Sequence, residues 1–203
     1  MFTGIIEATG TLTRSFRTES GIRWHVQAPR WEYKPVRGDS ICVQGCCLTH
    51  AVEGDSEGLV FDIIPETLAR TNLERFREGS TLNLEHAATM STLLGGHVVQ
   101  GHVDALAEVV AVQTHDQWRV RLRTVRAAME CIIPKGSVTL DGVSLTVAAV
   151  DPAEDVFEVA LIPTTLEKTT LGSLIEGSVC NLETDASART IVHWLKHYRD
   201  FKM

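Results

Sequence analysis

The sequence predicts an all-β chain: two tandem-duplicated antiparallel β-barrels followed by a C-terminal α-helix. Three observations predict it. Blocks recur in one order at nearly one spacing, each copy reads as short alternating strands separated by turn clusters, and the final segment alone carries a helical period.

The repeat begins at the N-terminus, where GIIEA at 4–8 lies against GHVDA at 101–105, an offset of 97. GCCLT at 45–49 matches GVSLT at 142–146, again at 97. IPETLARTNL at 64–73 matches IPTTLEKTTL at 162–171 at six of ten positions, and GSTLNLE at 79–85 matches GSVCNLE at 177–183 at five of seven, both at 98. Divided on this period, the chain has copies over 1–97 and 98–185, and a segment over 186–203 without a counterpart.

Within the copies, Trp24–Ala28, Ser40–Val43, Leu59–Ile63, Thr81–Leu84, Trp118–Leu122, Ser137–Leu140, Leu145–Val150 and Val156–Leu161 mix β-branched and apolar residues with period-two alternation. Turn clusters at Glu53–Gly58 and Asp151–Asp155 bound them. Many short strands without a long helix between them predict a small antiparallel barrel in each copy. Short helices are expected to start at Pro65 and Pro163, since proline suits the first helical position. A third is expected over Thr124–Ile132 with Thr124 as its cap. In the last segment Ile191, Leu195 and Tyr198 recur at i, i+4 and i+7 with Trp194 beside them, which predicts an amphipathic helix of roughly 25 Å. Its apolar face has two uses, packing on its own barrel or self-association with other copies.

Composition narrows the function. With 19 Lys and Arg against 26 Asp and Glu the net charge is −7, and aromatics are 6%. A barrel module for single-stranded nucleic acid needs a basic groove and aromatic platforms, so no nucleic-acid partner is expected. No apolar stretch approaches the roughly 18 residues that span a bilayer. Met1–Glu7 lacks the basic start of a signal peptide, and five cysteines are an odd number for a disulfide framework, so a cytoplasmic protein is expected.

Cys42, Cys46, Cys47 and His50 have a spacing that suggests zinc, but Cys46 and Cys47 point to opposite faces of a strand and the second copy has Thr139, Val143, Ser144 and Val147 at those places. No metal is expected; one of the adjacent cysteines reads as core filler. GGHVVQGH at 95–102 joins the copies and lacks the strand-then-helix context of a phosphate loop. His97 and His102 both have the ordinary reading of a satisfied histidine, although His102 stands opposite Ile5 in the repeat. Agreement between the copies (Gly4 with Gly101, Thr49 with Thr146, Thr67 with Thr165) suggests shared fold or ligand contacts. Difference suggests chemistry done by one copy: Cys47 against Ser144, Ile5 against His102, Ala87 against Asp185, Arg37 against Lys135. One chemically armed half in a duplicated binding module suits a reaction on two similar molecules.

MFTGIIE, GCCLT, GGHVVQGHVDA, LDGVSLTV and LIPTTLEKTTLG, in this order over the whole chain, resemble the riboflavin synthase family with two lumazine-binding domains. The resemblance implies a six-stranded barrel in each half and a homotrimer held by C-terminal helices. It implies no cofactor, and a site between the N-terminal barrel of one subunit and the C-terminal barrel of a neighbour. The implied reaction is the dismutation of two molecules of 6,7-dimethyl-8-ribityllumazine. One gives a four-carbon unit to the other, yielding riboflavin and 5-amino-6-(ribitylamino)uracil. The alternative within the resemblance is a non-catalytic antenna protein that holds a lumazine or flavin.

By the same resemblance the substrate contacts of the N-terminal barrel are Gly4, Ile5 and Ile6, then Cys47, Leu48 and Thr49, then Asp62, Ile63, Ile64, Pro65, Glu66 and Thr67, with Phe2 and Ser40 shaping the pocket. Those of the C-terminal barrel are Gly101, His102 and Val103, then Lys135, then Ser144, Leu145 and Thr146, then Leu161, Ile162, Pro163, Thr164, Thr165 and Leu166. The catalytic assignment is His102 with Thr146 for proton movement and Ser144 with Asp185 for the group that adds to C7. Cys47 faces them from the adjacent subunit. His50 stands where the family usually has a small apolar residue, on the strand face away from Thr49.

Overall fold

Alternation of apolar and polar residues produces six strands in each copy. A computed structural model of the protein describes residues 1–52 and 58–198. The turn read at Glu53–Gly58 and the last five positions of the 186–203 segment therefore fall wholly or mostly outside the described residues. In the first copy β1 (Ala8–Thr18), β2 (Gly21–Gln27), β3 (Ser40–Val43), β4 (Cys46–Thr49), β5 (Leu59–Ile63) and β6 (Thr81–His86) form one antiparallel sheet in the order β4-β3-β6-β1-β2-β5. Its end strands meet through a bridge between His50 and Phe61 and the bond from Ala51 N–H to the Val60 carbonyl, 2.8 Å.

The second copy repeats that order as β10-β11-β8-β7-β12-β9 and closes as a barrel. Its strands are β7 (Ala105–Gln113), β8 (Trp118–Arg123), β9 (Ser137–Leu140), β10 (Val143–Asp151), β11 (Val156–Leu161) and β12 (Val179–Thr184). Simple alternation does not mark the long strands β1 and β7, since each bends at a register shift, between Leu12 and Arg14 and between Val109 and Ala111, which breaks the period. The short helices α1 (Pro65–Arg70) and α3 (Pro163–Lys168) start on their prolines as expected. The third, α2, covers only Arg126–Met129. Thr124 is not its cap, because its hydroxyl donates to the Leu106 carbonyl at 2.8 Å. The chain ends in α4 (Ala186–Tyr198), with Ile191, Trp194, Leu195 and Tyr198 about half exposed on it.

Each barrel has its own apolar core, around Trp24, Phe61 and Leu84 in the first and around Leu122, Leu140 and Phe157 in the second. The central strands β6 and β12 are buried on both faces. Leu82 and Leu84, like Cys180 and Leu182, fill the cores, while the alternate residues Asn83 and Asn181 face the other copy. Asn83 Nδ2 donates to the Asp141 carbonyl (3.0 Å) and its Oδ1 accepts from Thr170 N–H (2.8 Å). Asn181 reciprocates with the Gln44 carbonyl (2.7 Å) and Asn72 N–H (2.7 Å). The two copies thus pack about a pseudo-twofold axis, and Gly45 and Gly142 meet on it. A Cβ on Gly45 would stand 2.7 Å from the Gly142 nitrogen, so neither site has room for a side chain.

Gln44 and Asp141 are equivalent across the axis. Gln44 Oε1 accepts from Asn83 N–H (2.6 Å), and Asp141 Oδ1 accepts from Asn181 N–H (2.8 Å) and Asn72 Nδ2 (3.0 Å). Burial pushes the Asp141 carboxyl up to about 7, against bonds from Asn181, Asn72 and Cys180 that favour its charged form. Between the ordinary value of 3.8 and about 7 the folded chain therefore binds more protons than the unfolded chain, so stability falls as pH rises through that window. Asp141→Asn keeps the oxygen acceptor, the part that the neutral Gln44 plays in the first copy, and removes the charge. Denaturation curves from acid to neutral pH are expected to show the wild type losing roughly 1–4 kcal/mol relative to the variant. Parallel pH profiles would mean that Asp141 is not the group responsible.

Candidate functional site

Two short arms lead into the barrels, Phe2–Ile6 before the first and Val99–Val103 before the second, and each is tied down by a buried carboxylate. Glu85 accepts from Thr3 N–H (2.6 Å), the Thr3 hydroxyl (2.7 Å) and Gly4 N–H (3.0 Å). Glu183 accepts from the N–H groups of Gln100 (2.8 Å), Gly101 (2.9 Å) and His102 (3.0 Å). Burial pushes both carboxyls up, and these bonds hold them back toward the charged state. Each N–H bond to a charged acceptor contributes about 1.5–3 kcal/mol, so losing either carboxylate frees an arm. In the sequence the two glutamates stand only as identical letters of the repeat, with nothing local to mark their task.

The arms cross over. Ser144 N–H donates to the Gly4 carbonyl at 2.7 Å, and Cys47 N–H donates to the Gly101 carbonyl at 2.9 Å. Ile6 belongs to the core of the second barrel, whereas Val103 packs on the core of the first. Phe2 and Val99 pair with each other, 2.7 and 3.0 Å, where the arms pass. Grouping Gly4, Ile5 and Ile6 with the first barrel and Gly101, His102 and Val103 with the second therefore follows chain order but not space. In the folded chain one cluster joins Gly4–Ile6 to Ser144–Thr146, and the other joins Gly101–Val103 to Cys47–Thr49. Both approaches are close: a Cβ on Gly4 would stand 2.6 Å from Ser144 Cβ, and one on Gly101 2.8 Å from Cys47 Cβ.

Alternation decides what each strand offers. Leu48 and Leu145 point into the cores, while Thr49 and Thr146 are exposed across from Ser40 and Ser137. Past β5 and β11, Ile63 and Leu161 are buried. Ile64 with Pro65 and Glu66, and Ile162 with Pro163 and Thr164, stand exposed at the helix starts, and Thr67, Thr165 and Leu166 are half-buried. Asp62 is held by Arg23 through two bonds of 2.7 Å, which keep its carboxyl below the usual range, and Glu66 pairs with Arg70. Ile5, Ile64 and Ile162, at 48%, 54% and 62% exposure, leave both clusters open to the outside.

The expected pairing of His102 with Thr146 is not made within the chain: His102 sits on the arm at Cys47, and Thr146 lies in β10 beside Ser137. Ser144 instead has His97 as its partner, with Nδ1 and Oγ 2.8 Å apart. Burial holds His97 below the usual histidine value, and the charge of Asp185 opposes that. Asp185 also caps α4, accepting from Ser187 N–H (2.8 Å) and Ala188 N–H (3.2 Å). Burial alone would raise its carboxyl, but these bonds, with smaller help from His97, outweigh it and hold the group low. The ordinary reading of His97 as a satisfied histidine misses this partner; its place directly after the Gly95–Gly96 pair is the signal the sequence offers.

Lys135 is equivalent to Gly38 and not to Arg37. Both N–H groups bond the carbonyl beyond the exposed threonine, Val147 for Lys135 (2.8 Å) and His50 for Gly38 (2.9 Å), and both have positive φ, 63° and 97°. The second copy thus has a cationic side chain where the first has none. His50 is buried, with Nδ1 accepting from Val60 N–H at 3.2 Å. Burial pushes the Cys46 thiol up to about 12 and Cys42 also upward, which suits core filler; Cys47 is half-buried beside Gly101. Among the described residues no group of three or more His, Cys, Asp or Glu side chains is placed to hold a metal ion, and no helix is long and apolar enough to cross a membrane. A cleft of about 810 Å³ between the copies, lined by Asn72, Arg75, Trp118 and Asp141, takes in only Leu166 of the expected contact residues.

The lumazine binding domain family matches twice, over residues 3–87 and 100–185. The chain is 42% identical to the riboflavin synthase of Mycobacterium tuberculosis (strain ATCC 25618 / H37Rv) over 193 residues, covering 94% of this chain and 96% of that one. It is 38% identical to the riboflavin synthase of Escherichia coli (strain K12) over 196 residues, covering 95% and 90%. Among solved structures, LumP complexed with riboflavin superposes with a TM-score of 0.80 at 24% identity, and LumP complexed with 6,7-dimethyl-8-(1'-D-ribityl) lumazine with 0.78 at 22%. Each covers 91% of this chain and 99% or more of its own. At that identity the likeness is one of fold. This chain, with its two lumazine-binding domains, belongs to the riboflavin synthase family.

Proposed function

We propose that the protein is a riboflavin synthase. It takes two molecules of 6,7-dimethyl-8-ribityllumazine and moves a four-carbon unit from one to the other, giving riboflavin and 5-amino-6-(ribitylamino)uracil. The observation that carries this reading is the pair of equivalent clusters with unequal chemistry. Gly4–Ile6 with Ser144–Thr146 and Gly101–Val103 with Cys47–Thr49 offer the same backbone frame, yet one adds Ser144, His97 and Asp185 and the other Cys47 and His102. Two copies of one heterocycle need like frames, and a donor and an acceptor need unlike ones. Both clusters are open to solvent, so each supplies half of an enclosed site.

The working site is completed between neighbouring subunits of a homotrimer, the first-barrel cluster of one facing the second-barrel cluster of the next. That arrangement would bring His102 and Thr146 together, which the single chain does not. The exposed row Ile191, Trp194, Leu195 and Tyr198 on α4 supports assembly through the helix. Domain limits of 1–97, 98–185 and 186–203, with the arms exchanged, and a cytoplasmic location matching five free thiols complete the reading. Holding two reactants in register contributes up to about 7–11 kcal/mol. What remains is proton movement and addition at C7, for which Ser144 with its half-buried partner His97, and His102 on its pinned arm, are the groups.

Purified protein incubated with the lumazine is expected to accumulate yellow riboflavin and to bind two ligands per chain; one bound, unconsumed fluorophore per chain would overturn the reading in favour of a binding protein. Ser144→Ala, His97→Gln and His102→Gln should each lower kcat by on the order of 10²-fold with much smaller changes in ligand affinity. Loss of affinity at full kcat would take these groups out of the chemical step. Deleting residues 187–203 is expected to convert the trimer to a monomer of low activity, and a fully active monomer would refute the shared site.

A further inference from the structure

Among the described residues Arg189 is the side chain through which α4 grips the second arm. It stands in the first turn of the helix, with its backbone N–H bonded to the Asp185 carbonyl at 3.0 Å. Its Nη2 donates to Gln100 Oε1 at 2.7 Å and its Nη1 pairs with Asp104. Nη2 also lies 3.9 Å from Glu183, the carboxylate that accepts the N–H groups of Gln100, Gly101 and His102. Asp104 in turn accepts from Thr184 N–H and its hydroxyl, both 2.8 Å, and so ties the arm's far end to β12. One planar guanidinium therefore braces the arm on both sides of His102, a geometry that a lysine ammonium cannot match.

We propose that Arg189 is a positioning residue: by bridging α4 to Gln100, Asp104 and Glu183 it sets the placement of the His102 arm, so that the catalytic geometry depends on how α4 is seated. Among the described residues the first arm has no such brace, because no equivalent helix follows the first copy. This goes beyond the proposed function and rests on it only for the role of His102. The charged or titratable groups around the guanidinium are Asp104, Glu183 and, through electrostatics alone, Cys131. Removing Arg189 takes away a charge that favours the Glu183 carboxylate, so the acid limb of the rate profile should move to higher pH.

The test uses the full chain. Arg189→Gln, and Gln100→Leu, which leaves the Arg189–Asp104 pair and the helix seat intact, are compared with the wild type for mass, kcat, KM and hydrogen exchange in peptides covering 97–105. Expected are an unchanged mass for Gln100→Leu, faster exchange over 100–102 in both variants, and kcat lower by about tenfold or more with little change in KM. Arg189→Lys should recover only part of the loss. Wild-type exchange and kcat in both Arg189→Gln and Gln100→Leu would overturn the inference. Loosened exchange in a protein whose wild type makes no riboflavin would uphold the brace and overturn the proposed function instead.

Discussion

A buried polar atom needs a partner, and in this chain the partners of the two central strands lie on the opposite copy. Asn83 and Asn181 occupy the outward face of β6 and β12, where a barrel standing alone would meet water. Each bonds through its amide to the other copy's turn and helix start, and leaving any of these groups buried between the copies without its partner would cost about 1–3 kcal/mol. That requirement fixes the pseudo-twofold axis. Around the axis stand Gly45 against Gly142, Phe2 against Val99, and the two crossed arms.

The same logic governs the arms. Glu85 and Glu183 are costly to bury, as their raised titration indicates, and are tolerated because each collects successive N–H groups of one arm. A rigid arm is what lets the next residue act in a defined place. On the first arm that residue is Ile5, and on the second it is His102. Duplication thus built two equal frames, and substitution at a few positions, Cys47 for Ser144 and Gly38 for Lys135 among them, made them chemically unequal.

The helix α4 is joined to the second arm at its start and exposed at its end. Its cap, Asp185, shares its field with His97, and its first-turn Arg189 reaches the second arm. Only the far half of its length carries the exposed apolar row. In the proposed trimer, a helix so connected at its start and so bare at its end would link assembly to the placement of the second arm.

The sequence by itself determined the duplication, the all-β class, most strand positions and both proline-led helices, because these rest on local periodicity and on letters repeated at a fixed offset. It also singled out the segments that the fold brings together in the two clusters, since Gly4, Cys47, Gly101 and Ser144 stand out as agreement or contrast between copies. Only the tertiary structure decided which segments meet. The arms exchange barrels, Ser144 takes His97 as its bonded partner, and Thr124 leaves its helix to bond Leu106. None of these has a local signature: each is a hydrogen bond between residues far apart in the chain, chosen by what burial leaves unpaired. Periodicity along a chain says which face of a strand is covered, and it cannot say by what.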